Sequence, residues 1–132
     1  MFSTLDTVQL LCTLNRFAIP MFAAERANKH RQFRLKCINN AHSRATGLNG
    51  ETVAGQKLSE IFTPEDAAIV EGHYALCVES NDVINFRETF HLHGRKTRWD
   101  TTLQPINMPD GSQRIIGTAL SMELNTDPSQ VD

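Results

Sequence analysis

Apolar residues recur at helical spacing near the start of the chain. Leu10, Leu11, Leu14, Phe17 and Ala18 form one stripe, and Leu5, Val8 and Cys12 add a second. The pattern predicts a helix over residues 3–18, with Ser3 and Thr4 capping it and Asp6 at the positive end of its dipole. Its apolar surface is wider than one face needs, so two partners are expected: its own domain and a second subunit. Pro20 ends it, because proline lacks an N–H and pushes Ile19 towards extended geometry. Residues 20–24 read as a short strand and residues 33–39 as a second, in which Phe33, Leu35 and Cys37 alternate with Arg34 and Lys36. Period two then disappears between Asn39 and Phe62, where Gly47, Asn49, Gly50 and Gly55 punctuate turns and helical fragments.

Thr63-Pro64-Glu65-Asp66 is the sharpest local signal. Thr63 can cap a helix, Pro64 suits the first helical position, and two carboxylates meet the dipole. A helix over residues 63–80 is expected to bury Ala67, Val70, Tyr74, Cys77 and Val78, with Asn81-Asp82 as its stop. Three alternating stretches follow, at residues 83–92, 97–106 and 113–124. Trp99, Thr101 and Leu103 share one face of the second; Ile116, Thr118, Leu120, Met122 and Leu124 share one face of the third. Turns at His93–Lys96 and Met108–Gly111 make these strands antiparallel neighbours. The fold class is therefore α+β: a five-stranded antiparallel sheet with helices covering one face, plus an N-terminal flanking helix.

Composition narrows the function classes. The chain has 132 residues, 40% of them hydrophobic, enough for one core. Thirteen Lys+Arg against fifteen Asp+Glu give a formal charge of −2, so nucleic acid is not expected as a partner. No apolar run approaches the roughly 18 residues of a membrane helix, and no signal peptide is recognisable, so no membrane insertion is expected in this segment. Cys12, Cys37 and Cys77 form no CxxC and cannot all pair; reduced thiols in a cytoplasmic protein are the expectation.

Several segments together resemble the PAS, or sensory-box, family. Asn39-Asn40-Ala41 followed by Gly47 resembles its N-x-A…G segment. The stretch from Leu48 to Gly55, then Gln56 to Phe62 and Pro64-Glu65-Asp66, resembles the approach to its long helix. His93-Gly94 with Trp99, and Pro105-Ile106 with Asp110-Gly111 and Ile116-Gly117, resemble its two closing hairpins. The resemblance covers residues 20–124. Two departures stand out: the first hairpin turn is longer than the family's D-x-D-G, and Ser121–Leu124 replaces its terminal D-I-T. The resemblance implies residues 1–18 as a dimerising flanking helix, residues 19–124 as the PAS domain, and residues 125–132 as a polar tail or a linker to an absent output domain. It also implies a bacterial-type, non-catalytic sensor that forms a homodimer. Such a sensor would act on a covalently linked diguanylate cyclase or histidine kinase output. The expected dimer contacts are Leu5, Val8, Leu11, Cys12 and Leu14.

A small-molecule pocket implied by the resemblance would be bounded by Cys37, Phe62, Val70, His73, Tyr74, Phe86, Leu103, Thr118 and Leu120. The competing reading is that these residues simply fill the core and the domain serves protein interaction. The family admits haem through a helical histidine, here His73, and non-covalent flavin. Neither is required by any residue pattern, and no cofactor is expected. His91 and His93 point to one side of a strand and could join His42 or Asp100, but two histidines by a turn are more simply solvent-facing than zinc ligands. Glu88 interrupts an apolar face, which fits an ion pair with a basic neighbour or a polar pocket contact. A small α+β enzyme using His73 with Asp66 or Glu88 as base is the remaining alternative, without support from any G-x-S-x-G, H-E-x-x-H or phosphate loop.

Overall fold

The computed structural model describes residues 2–122. Helix α1 (Thr7–Leu14) precedes strands β1 (Met21–Arg26) and β2 (Arg34–Ile38). Three short helices follow: α2 (Asn40–Thr46), α3 (Gly50–Val53) and α4 (Leu58–Ile61). The long helix α5 (Pro64–Ser80) then leads to β3 (Ile84–Leu92), β4 (Arg95–Asn107) and β5 (Gln113–Ser121). All pairings are antiparallel, and the sheet order is β2-β1-β5-β4-β3.

The expected long helix forms with the expected caps. Thr63 accepts a hydrogen bond from the Asp66 N–H at 3.2 Å, Pro64 opens the first turn, and Asn81 ends it in the left-handed region. Its buried stripe is Ala67, Val70, Tyr74 and Cys77, as the periodicity indicates, with Val78 partly buried. The N-terminal helix is shorter than its apolar pattern suggests. Asp6, not Ser3 or Thr4, caps it by accepting from the Gln9 N–H at 2.8 Å, while Gln9 Oε1 accepts from the Asp6 N–H. It stops at Leu14, whose carbonyl accepts from Asn39 Nδ2 at 2.8 Å, so the chain turns towards Pro20 well before residue 18. The expected polar tail at 125–132 lies outside the described residues, as do the last two residues of the stretch 113–124.

The sheet is covered on both faces, unequally. On one face α5 and the short helices pack over Phe22, Ala24, Leu35, Phe90, Trp99, Leu103, Ile115 and Ala119. On the other, α1 seats Leu10 and Leu14 against Met21, Ala23, Cys37 and Ile116. Arg114 fastens this arrangement: it pairs with Glu25 at 2.6 Å and donates to the carbonyls of Phe2 and Leu5. Fully buried Asn39 joins three elements. Its Oδ1 accepts from the N–H groups of Met21 and His42, both at 2.9 Å, while Nδ2 donates to the carbonyls of Leu14 and Ile19.

One irregularity changes which residues share a face. β1 advances one residue, Ala23 to Ala24, while β2 steps from Cys37 to Leu35. The extra residue, Lys36, is a β-bulge, and it inverts the alternation. Leu35 therefore faces α5 while Cys37 faces α1.

Candidate functional site

Between α5, the short helices and the sheet lies a cavity of about 40 Å³. A space of that size holds on the order of three waters. Its apolar wall is contributed by Phe22 and Leu35 from β1 and β2, Ile61 and Phe62 from the end of α4, Val70 and Tyr74 from α5, and Phe90, Leu92 and Ala119 from the sheet. Ring packing stiffens this wall. Phe22 and Tyr74 stack at 5.9 Å, Phe33 meets Tyr74 edge-on at 5.4 Å, and Phe62 tilts against Phe90 at 4.9 Å.

Besides Tyr74, five polar side chains line it: His42, Thr46, Glu88, Trp99 and Thr101. His42 Nδ1 and Trp99 Nε1 are buried and have no hydrogen-bond partner. Burial pushes the His42 imidazole down to about 4, so it is neutral near pH 7. Glu88 is raised, chiefly by burial, against the opposing hydrogen bond of His73. Burial also lifts the Tyr74 phenol well above its usual value. A cavity with unpaired polar atoms and no fixed charge beyond the Glu88 carboxyl suits a small neutral occupant able to hydrogen-bond.

Glu88 links the cavity to its roof. Its Oε2 lies 2.9 Å from His73 Nδ1 on α5, and the His73 ring rests on Phe86 with centroids 3.8 Å apart. A second pair lies two turns nearer the start of α5: Asp66 Oδ2 accepts from the His91 N–H at 3.0 Å and approaches His91 Nδ1 at 3.2 Å. Asp66 therefore does more than meet the helix dipole; it satisfies a backbone donor on the open edge of β3. Glu71 does the same for the Phe33 N–H at the entry to β2.

Of the residues expected around a pocket, Phe62, Val70 and Tyr74 line the cavity. Leu103 is buried on the same face without reaching it, and Phe86 and His73 stand at the α5–β3 margin. Cys37, Thr118 and Leu120 do not belong to it. The bulge turns Cys37 beneath α1, and Thr118 pairs with Met21 on that same outward face. Leu120, two residues on, is 46% exposed. Inward residues of β5 are Ile115, Gly117 and Ala119, the set opposite to the one its strongest apolar alternation marks. Burial pushes the thiols of Cys37 and Cys77 up to about 11, in keeping with small apolar residues. The sequence missed His42, Trp99 and Thr101 as site residues. The last two were legible as one strand face, whereas His42 becomes visible only once Asn39 caps α2 beneath the sheet.

The proposed dimer contacts divide likewise. Leu14 is fully buried within the domain and is not free to meet a second subunit, while Leu5 is partly buried beside it. Val8 is 72% exposed, and Leu11 and Cys12 are exposed beside it. Among the described residues, no three His, Cys, Asp or Glu side chains gather as a metal site.

A family model of the PAS fold matches residues 27–123. The chain belongs to the PAS family. The solved PAS relatives are distant in sequence and close in shape. The Rhodobacter sphaeroides LOV protein superposes with a TM-score of 0.70 at 11% identity, covering 96% of this chain and 74% of that one. The PAS domain of Bordetella pertussis BvgS gives 0.66 at 15% identity, over 92% and 88% of the two chains. A PAS domain from Colwellia psychrerythraea gives 0.65 at 12% identity, over 89% and 98%. No curated protein matches the sequence. Among the described residues no helix of this PAS domain is long and apolar enough to cross a membrane.

Haem and flavin were the two cofactors a PAS resemblance admits. The residues present do not fit either group. His73 presents its Nδ1 to Glu88 and its ring to Phe86, and it does not line the cavity. A space of about 40 Å³ is far smaller than a macrocycle or an isoalloxazine ring system.

Proposed function

We propose that this PAS domain is a non-catalytic sensory module whose signal is a small neutral molecule held between α5 and the sheet. The observation that carries this reading is the cavity itself, where His42 Nδ1 and Trp99 Nε1 have no partner within the protein. Buried polar atoms of this kind gain free energy from an occupant that supplies the missing hydrogen bonds. Occupancy would bias the packing of α5 on the sheet through Glu88 and His73, a population shift between two packings. The flanking segments, residues 1–18 and 125–132, would pass that bias to a covalently linked output domain of the diguanylate cyclase or histidine kinase type. Cytoplasmic location and homodimerisation belong to the same reading. The exposed Val8, Leu11 and Cys12 of α1, with Phe17 and Ile19 beyond it, are the apolar surface for the dimer.

Trp99 is the single tryptophan and lines the cavity, so its emission reports on occupancy without a label. Freshly purified protein is analysed by native mass spectrometry and absorption, then titrated with small neutral polar molecules while Trp99 emission is followed. A bound species, or a saturable change in emission that the variant Ala119→Leu abolishes by filling the cavity, supports the sensor reading. No bound mass and no saturable response favour the alternative of an interaction PAS with a filled core. For the dimer, residues 1–17 are deleted and mass is measured by light scattering. An unchanged monomer–dimer balance removes α1 from the interface.

A further inference from the structure

The chain is slightly acidic as a whole, yet residues 26–50 contain six Lys and Arg and no Asp or Glu. The fold gathers most of that charge, with Lys57, into one place. A groove of about 820 Å³ runs along the β1–β2 hairpin, walled by Arg31, Arg34, Lys36 and Lys57, with His30 at its rim. Backbone pairing fixes these side chains on one surface: Leu35 and Arg34 bond to the strand-like segment at Gln56-Lys57, and Arg34 Nη1 donates to the Gly55 carbonyl at 2.9 Å. Arg26 lines the groove from beneath, held by Gln113 at 2.6 Å and by the Phe33 ring, 4.7 Å from its guanidinium carbon. Its Nη2 is buried without a hydrogen bond and comes no nearer than 3.7 Å to exposed Glu79.

The two acids at the groove do not neutralise it. Glu25 is committed to Arg114 at 2.6 Å. Asp110 is turned to its own loop, accepting from the N–H and hydroxyl of Ser112. Like charges confined this closely raise the local potential and favour an anionic partner.

We propose that this groove docks an acidic segment of a partner protein, several Asp or Glu side chains presented in an extended stretch. Three features choose that partner over other polyanions. No Phe, Tyr or Trp side chain lines the groove, so bases have no large ring to stack on. No large apolar side chain lines it either, as membrane binding would need. The cations form a short cluster on an otherwise acidic domain rather than a stripe that could follow a nucleic-acid backbone.

The full chain is titrated against a fluorescent peptide of alternating Glu and Gly, with a Lys/Gly peptide and a single-stranded oligonucleotide as comparison probes. The expected result is saturable binding of the acidic peptide alone, weakened by salt. The variant R31E/K57E changes two exposed side chains that make no ion pair among the described residues. It is expected to weaken binding at least about tenfold, by loss of electrostatic complementarity. Reversal at a distant exposed cation, R87E, is expected to leave binding unchanged. Equal weakening by R87E, no effect of R31E/K57E, absence of peptide binding, or tighter binding of the oligonucleotide would each overturn the proposal. Circular dichroism of both variants confirms that the fold is retained.

Discussion

His42 makes the stability of this domain dependent on pH in a direction that can be worked out from its surroundings. The imidazole is enclosed by the cavity wall, edge-on to Phe22 at 5.8 Å, and no acid lies close enough to stabilise its charge. Burial lowers its pKa from 6.5 to about 4. The unfolded chain therefore binds a proton at a pH where the folded chain does not. Stability is fully present above 6.5 and is lost as pH falls towards 4, because protonation there rewards the unfolded state. With those two values the loss is negligible at pH 7.5, about 2 kcal/mol at pH 5, and about 3 kcal/mol below pH 4. For a denaturant slope of roughly 1–3 kcal/mol/M, the urea midpoint should fall by on the order of 1 M between pH 7.5 and pH 5. The assay is equilibrium urea unfolding, followed by Trp99 emission, at both pH values for the native chain and for His42→Gln. Gln carries no titratable group, so its midpoint should fall much less over the same interval. All other side chains are common to both proteins and cancel in the comparison. Parallel pH dependence in the two proteins would show that His42 is solvated or charged in the fold, and the reasoning about the cavity would fail with it.

Three other outcomes follow from single features. Gly117 faces Phe22 across the β1–β5 pairing, and a Cβ there would stand 2.2 Å from the ring; Gly117→Ala should cost roughly 1–3 kcal/mol in urea unfolding, with a disturbed Trp99 signal from the displaced ring. Asn39→Ala leaves the N–H groups of Met21 and His42 and the Ile19 carbonyl without partners and takes one of two donors from the Leu14 carbonyl, so a loss of about 3 kcal/mol or more is expected, with faster hydrogen exchange in α1. Asn39→Asp should be worse, since a carboxylate would face the carbonyls of Leu14 and Ile19. Glu88 has a raised pKa in the fold, so its contribution to stability declines as pH rises from about 4.5 through that raised value. Glu88→Gln keeps an acceptor for His73 and removes the buried charge; it should gain stability over the native chain at pH 8 relative to pH 5, and the opposite order in urea midpoints would contradict this.

The caps and alternations explain why so much of the architecture could be read before any coordinates. Thr63-Pro64 starts α5 because each residue satisfies a requirement of a helix N-terminus within four positions. Trp99, Thr101 and Leu103 share a face because strand geometry leaves no other choice, and the short turn at Gly94 makes β3 and β4 antiparallel. These are local constraints, and the sequence by itself determined them: the elements, their order, the sheet and the stripe of α5 that is buried. Tertiary structure decided which side of each strand the core occupies. Alternation names the residues that share a face but not the layer that will cover it, and here α1 covers part of the second face, drawing Ile116 and Cys37 away from the cavity. One extra residue, Lys36, was enough to invert the parity of β2. The β3–β4 hairpin alone sets Glu88 beside Trp99 and Thr101, but spacing could not bring His42 to the same cavity, because that depends on how α2 settles on the sheet.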